Sequence, residues 1–347
     1  MNILITGNLG YVGPNLIKYL KKNYPADKLF GFDIGYFSNC VTTPFRMPET
    51  MLEAQYFGDV RNFSEHLLKG IDAVIHLAAI SNDPMSSQFE EITYAINHKA
   101  SIDIAKKAKN AGVKSFVFAS SCSVYGFAAD GARVESSDLN PLTAYAKSKV
   151  LTEEDLQPLA DDNFKVTCLR FATACGMSDR LRLDLVLNDF AASAIANKKI
   201  SILSDGTPWR PLINTLDMAR AMGWSVNRET SKGGNFLLMN VGSNVWNYQV
   251  KEIAGFVKEQ FPEVEISINP NAQPDKRSYR VNFDFFNSLA PDFTPKITIQ
   301  QSIADLLNGL NAIKFNDADF RQSNLIRLNM INSLKTNNFI DDNINWV

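Results

Sequence analysis

The chain predicts an α/β fold: a doubly wound parallel sheet with a smaller C-terminal α/β lobe. Three observations lead there. Short runs apolar on both faces alternate with stretches whose apolar residues recur at helical spacing, and a glycine-rich turn divides the first run from the first helix. The length, 347 residues, exceeds the roughly 250–300 that a single core serves, so a second lobe is expected.

The strand runs come first. Ile3–Ile5, Leu29–Phe32, Ala73–Leu77 and Phe116–Ala119 are compact and apolar, as strands covered on both sides must be. Between them Tyr11–Lys22, Ser64–Lys69 and Glu90–Ala111 read as helices, because parallel neighbours need a crossover. The rhythm continues through helix Pro141–Leu156 and strand Lys165–Phe171. It then loosens into helix Asp184–Ala196, strand Ile200–Leu203, helix Asp217–Val226, strand Phe236–Val241, helix Gln249–Gln260 and strand Val264–Ile268. Pro270–Lys276 reads as a polar loop and Gln300–Ala312 as a helix. The Asn-rich tail from Phe315 carries Phe320, Leu325, Leu328 and Ile331 near helical spacing, so it is expected to pack on the body or on a partner subunit.

Composition narrows the function. Apolar residues make up 45% and charged residues 21%, an ordinary globular mixture. Thirty-five Lys and Arg against 37 Asp and Glu leave a net charge of −2, which offers no basic field to nucleic acid or anionic lipid. There is no run of about 18 apolar residues and no basic leader before Met1-Asn2-Ile3, so a soluble, cytoplasmic, reduced protein is expected. Cys40, Cys122, Cys168 and Cys175 lack the paired spacing of a metal site, and no metal is expected.

The first chemistry sits in Gly7-Asn8-Leu9-Gly10-Tyr11-Val12-Gly13, directly after the first strand. Glycine there permits a tight turn and close backbone approach to a pyrophosphate, and the helix N-terminus offers unpaired N–H groups to it. Twenty residues beyond Gly13 the second strand ends at Asp33, a carboxylate suited to the adenosine ribose hydroxyls and repulsive to a 2′-phosphate. NAD is therefore the expected cofactor. Asp59 and Val60 close the third strand near the adenine. Leu77, Ala78 and Ala79 end the fourth with residues that let the backbone lie against the cofactor, and Ala119 ends the fifth. His76 is left without a role.

The second chemistry follows the fifth strand, in Ser120-Ser121-Cys122-Ser123-Val124-Tyr125-Gly126 and Tyr145-Ala146-Lys147-Ser148-Lys149. Tyr145 and Lys149 stand four apart on one helical face. A phenol with a pKa near 10 is a poor base, and a neighbouring ammonium with an oxidised nicotinamide favours phenolate. Ser121 is placed to hydrogen-bond the same substrate oxygen.

On these motifs the chain resembles the extended short-chain dehydrogenase/reductase family, in its NAD-dependent nucleotide-sugar epimerase/dehydratase branch. The resemblance covers roughly residues 1–310 and rests on T-G-N-L-G-Y-V-G, Asp33, H-L-A-A, S-S-C-S-V-Y-G, Y-A-K-S-K and L-R-F. It implies a Rossmann-type sheet in residues 1–172, with strands returning from about 200–245. Residues 173–199 and 246–313 would form the substrate lobe, and 314–347 a helical extension. It implies Ser121, Tyr145 and Lys149 as the catalytic triad, Lys149 also on the nicotinamide ribose, and Asn97 beside the cofactor. Arg210 and Arg277 match its diphosphate arginines, since guanidinium forks bind phosphate bidentately. Asn188 matches its helix asparagine, Thr173 replaces an asparagine common in the 4-epimerases, and Ser81, Asn82 and Ser123 face the sugar.

The branch diverges after a common oxidation of a sugar hydroxyl. Its dehydratases carry an Asp–Glu pair where this chain has Cys122-Ser123, and elimination needs such an acid and base. Epimerisation is therefore expected, and the resemblance, not these residues, makes C4 of a UDP-hexose the default. A 4-ketoreductase, a dehydratase using a thiolate at Cys122, and a regulatory protein that only senses NAD remain as alternatives. The family prior is a homodimer through helices corresponding to Glu90–Ala111 and Leu142–Leu156.

Overall fold

The computed structural model describes residues 1–43, 47–269, 272 and 277–347. Seven parallel strands form the main sheet: β1 (Asn2–Thr6), β2 (Lys28–Asp33), β3 (Ala54–Phe57), β4 (Ala73–His76), β5 (Ser115–Ser121), β7 (Lys165–Phe171) and β11 (Phe236–Val241). Across the sheet the order is β3-β2-β1-β4-β5-β7-β11. The chain therefore reverses direction across the sheet between β1 and β4, and a crevice opens at their C-terminal ends.

Two-residue alternation sends each strand into both cores. Ile3, Ile5 and Val117 face one side, against Leu16, Ile17 and Leu20 of α1 (Gly13–Asn23) and Met222 and Trp224 of α7 (Thr215–Asn227). Leu4, Phe116 and Phe118 face the other, against Ile104 and Ala108 of α4 (Ser101–Asn110) and Leu156 of α5 (Ala144–Leu156). Full burial of both faces explains why these runs were legible as strands.

Several helices differ from the sequence expectation. Ser64–Lys69 makes only a 3-10 turn, Glu65–Leu68, because so short a stretch does not repay nucleation of an α-helix. Glu90–Ala111 is one rod in three parts, α3 (Glu90–Tyr94), a π-helical stretch Ala95–Ala100 and α4. Helix α5 starts at Ala144 and not Pro141, since Thr143 caps it by accepting from the Ala146 N–H. A short α2 (Asp83–Gln88) precedes α3, capped by Asn82.

The remaining strands build three small sheets. β6 (Phe127–Arg133) pairs β14 (Ser278–Val281), β9 (Lys199–Ile202) pairs β13 (Glu265–Ile268), and β10 (Trp209–Asn214) lies between β8 (Thr173–Cys175) and β12 (Asn247–Gln249). Of the strands expected to return to the main sheet between 200 and 245, only β11 does so. β9 alternates buried Ile200 and Ile202 with polar Lys199 and Ser201, which suits a sheet covered on one face. Helices α6 (Val186–Asn197), α8 (Val250–Gln260) and α10 (Ile299–Ala312) pack a third core around Leu187, Phe190, Ile253, Val257, Ile303 and Leu306. Helix α9 (Asp284–Leu289) sends Phe286 into the first core. The loop expected at Pro270–Lys276 lies, Ala272 apart, outside the described residues.

The tail packs on the body of the same chain. Phe320 joins the third core, while α11 (Arg327–Thr336) and the residues after it bury Met330, Ile331, Ile340 and Ile344 in the second. Among the described residues no helix is long and apolar enough to cross a membrane.

Candidate active site

A cavity of about 1010 Å³ opens at the crevice and gathers residues from both lobes and the tail. Its floor is the glycine turn. Gly7 has φ +74, and a Cβ there would stand 2.5 Å from the Ala78 nitrogen, so only glycine lets β1 and β4 end so close together. A Cβ on Gly13 would meet the Asn8 carbonyl oxygen at 2.0 Å. Helix α1 begins immediately after, with no side chain capping its first N–H groups. That leaves a side-chain-free cradle of donors, which fits a diphosphate.

Gly7, Gly10, Tyr11 and Val12 line the cavity; Leu9 and Gly13 do not. The Leu9 N–H instead donates to Asp33 at 3.0 Å, and the Gly35 N–H donates to the other oxygen at 2.7 Å. Burial pushes the Asp33 carboxyl up while these two N–H groups pull it down. Asp33 lines the cavity with its oxygens aligned by backbone. Asp59 and Val60 line it as well, but the Asp59 carboxylate accepts from the Arg61 backbone at 2.8 Å and pairs its guanidinium. Asp59 thus caps a turn.

Leu77, Ala78, Ala79 and Ala119 form the adjoining wall. His76 lies behind it. Ser101 donates to the Asn97 carbonyl, so His76 Nε2–H is assigned as donor to Ser101 (2.8 Å) and Nδ1 as acceptor from Thr6 (2.7 Å). Asn97 is fully buried off the cavity; its amide brackets Ile80 by both the N–H (2.8 Å) and the C=O (2.9 Å) and donates to Ser148. It braces the loop after β4 against α5.

Ser121, Tyr145 and Lys149 share the next stretch of wall. Lys149 Nζ donates to the Ala119 carbonyl at 2.7 Å and stands 5.7 Å from the Tyr145 ring centre. Burial pulls this ammonium down to about 8, with Glu153 opposing. The Tyr145 phenol is pushed up, chiefly by burial; Ser121 and Arg182 oppose the rise and Asp83 adds to it. In the protein alone desolvation outweighs the neighbouring charges on the phenol; the expected depression joins Lys149 to an oxidised nicotinamide.

Ser81, Asn82, Ser123, Thr173, Arg210 and Arg277 complete the wall toward the second lobe. Ser81 accepts from Arg182 at 2.9 Å, and Asn82 donates to Asp184 at 2.5 Å. Ser123 Oγ is buried with no partner among the described residues. Arg277 pairs Asp83 at 2.6 Å, while Arg210 donates to the Arg277 and Trp209 carbonyls. Asn188 lies off the cavity, its amide spent on Tyr11 OH (2.9 Å), the Arg182 carbonyl (2.8 Å) and the Gly176 N–H (3.0 Å). Cys122 is also turned away; its thiol donates to the Arg170 carbonyl at 3.1 Å, and burial pushes it up. That removes the reactive thiolate considered from sequence.

Sequence reasoning missed Thr143, Arg182, Asp184 and Arg327, all on the cavity wall. Arg182 grips Asp184 through two bonds of 2.9 Å. The alternation Leu181-Arg182-Leu183-Asp184 was the available signal, with both leucines fully buried and both charges on the cavity wall.

The model of the NAD dependent epimerase/dehydratase family matches residues 3–242. A protein described as an uncharacterized UDP-glucose epimerase of Bacillus subtilis is 28% identical over 64% of this chain and 71% of its own. The UDP-glucose 4-epimerase of Erwinia amylovora is 25% identical over 80% of this chain and 89% of its own. The UDP-glucose 4-epimerase of Bifidobacterium longum, solved with NAD+ and UDP, has the same fold, with a TM-score of 0.75 at 20% identity over 90% of this chain and 98% of that one.

Proposed function

Because the chain belongs to the NAD-dependent epimerase/dehydratase family, we propose that it is an epimerase of nucleotide-diphosphate sugars, working through a transient ketone at C4 of a UDP-hexose. The residues that would hold NAD are Gly7, Gly10, Tyr11 and Val12 of the cradle, Asp33 and the Leu77–Ala79 wall; bound there, NAD would supply a two-electron acceptor that takes up and returns hydride. The chain's own part is proton traffic. Tyr145 takes the proton from the sugar hydroxyl, and Ser121, beside it on the cavity wall, steadies the same oxygen. Lys149, fixed on the Ala119 carbonyl, keeps a positive charge beside the ring. Arg210 and Arg277 offer guanidinium groups to the sugar's diphosphate.

One observation carries the choice of epimerisation. Where elimination needs a carboxylate pair after β5, Cys122 is buried behind the wall and Ser123 presents only a hydroxyl. A second reading rests on Asp83, a carboxylate whose field reaches Tyr145; it would serve a dehydratase, although Thr143 (2.7 Å) and Arg277 already occupy its oxygens.

The test is a panel of nucleotide sugars incubated with the full-length protein in D2O. Inversion at C4 without solvent deuterium is expected, and Tyr145→Phe should lower turnover by about 10²–10⁴ while keeping bound NAD. Loss of water with deuterium at C5 would select the dehydratase. No conversion of any member, with NAD bound, would select the sensor.

A further inference from the structure

Arg327, the first residue of α11, is 2% exposed and lines the cavity. It stacks 4.5 Å from the Phe37 ring centre, and its Nη2 donates to the Arg180 carbonyl at 2.8 Å. Its Nη1 is buried with no partner among the described residues. The charged groups that face it are Arg180, Arg182 and Asp184, beside the neutral thiol of Cys40. Asp184 is already held bidentately by Arg182, and Arg180 is paired with Glu49. Of these three guanidinium groups, Arg327 is the one without an ion pair among the described residues. Burial and the like charges pull it down to about 10, so it is cationic at neutral pH. A buried cation without a counter-charge is costly and is accounted for when a ligand brings the anion.

Its neighbours identify which anion. Ile34, Tyr36 and Phe37, which follow Asp33, line the same wall. Arg180, whose carbonyl Arg327 binds, bears on the Asp33 carboxylate. Arg327 thus belongs to the part of the cavity formed by the glycine turn and Asp33. Arg210 and Arg277 belong to the part formed with Asp83 and the second lobe. We propose that Arg327, carried by the C-terminal extension, is the counter-charge for the diphosphate bridge of the dinucleotide, with Arg182 as its neighbour. The proposal rests on the NAD reading above and adds a residue outside the 3–242 stretch that the family model matches.

Calorimetric titration of the full-length protein with NAD, adenosine and UDP tests it, comparing wild type with Arg327→Gln and Arg327→Lys. One lost charge-assisted contact corresponds to about a ten- to hundredfold weaker affinity for NAD in Arg327→Gln, with a smaller loss in Arg327→Lys. Adenosine, which lacks phosphate, and UDP should bind the variants as they bind wild type. The salt dependence of NAD binding should flatten in Arg327→Gln. Because the variant removes an unpaired buried charge, its melting temperature without NAD should not fall, while the rise produced by added NAD should shrink.

Equal NAD affinity in wild type and variants overturns the proposal, as does a parallel loss for adenosine, which marks a structural role. Loss of UDP affinity with NAD binding intact also overturns it and assigns the guanidinium to the sugar's diphosphate. If Arg327→Gln does not fold, Arg327→Lys decides by the same comparison of NAD with adenosine. A wild-type protein that binds no NAD overturns the cofactor reading itself, an outcome distinct from any difference between variants.

Discussion

His76 shows how a side chain with several chemical identities is given one by its surroundings. Both ring nitrogens are engaged, by Thr6 and Ser101, and burial pulls the imidazole down to about 3. Unfolded, it titrates near its usual 6.5. The unfolded chain therefore binds more protons between those values, and stability falls as pH drops from about 6.5 toward 3, by about 1.4 kcal/mol per pH unit. Thermal melts at pH 7 and pH 5 should show a smaller acid-induced drop for His76→Gln than for wild type; identical drops would exclude His76 as a source. Gly7, Asp33 and Tyr145 were legible in the sequence because their chemistry depends on a local turn, a strand end and a four-residue spacing. Asn97 and Asn188 were placed near the ligands by the resemblance alone, and the structure sets both off the cavity. Their partners, Ile80 and Ser148 for one and Tyr11 and Gly176 for the other, come together by folding alone.

Helix α5 places Tyr145, Lys149 and Glu153 on successive turns of its buried side. Glu153 accepts from Ser120 at 2.5 Å and from Arg170 of β7 at 2.7–3.1 Å, so phenol, ammonium, carboxylate and guanidinium run in series into the protein. Substituting Glu153→Gln strands Arg170 and removes the group that holds the Lys149 ammonium up. Denaturant unfolding at neutral pH should report a loss of about 3–5 kcal/mol, the range for breaking a buried ion pair from one side. A loss under 1 kcal/mol would mean that Tyr125 and the Glu135 carbonyl suffice for Arg170. The helix itself was readable, but its charged inner face was not. Glutamate is among the residues least often buried, and only the arginine from a neighbouring strand makes Glu153 an inside residue.

Across the whole molecule the first half of the chain was the readable part, because strands covered on both sides advertise themselves as apolar runs. The second half divides its short strands among three small sheets, and nothing local in β9 or β10 states which partner each will choose. The tail announced through Phe320 and Ile331 that it packs, but its contribution to the cavity through Arg327 and Ile344 depends on contacts about 150 to 300 residues away in sequence. One feature of this arrangement offers a built-in clock. All four thiols are buried and pushed up, and Cys40 is the one with a hydrogen bond to the tail among the described residues, donating to the Asn324 carbonyl at 3.3 Å. Alkylation followed by mass spectrometry should therefore mark Cys40 when the tail peels off, and Cys122, Cys168 and Cys175 only when the body melts. A single rate for all four would show that tail and body come apart together.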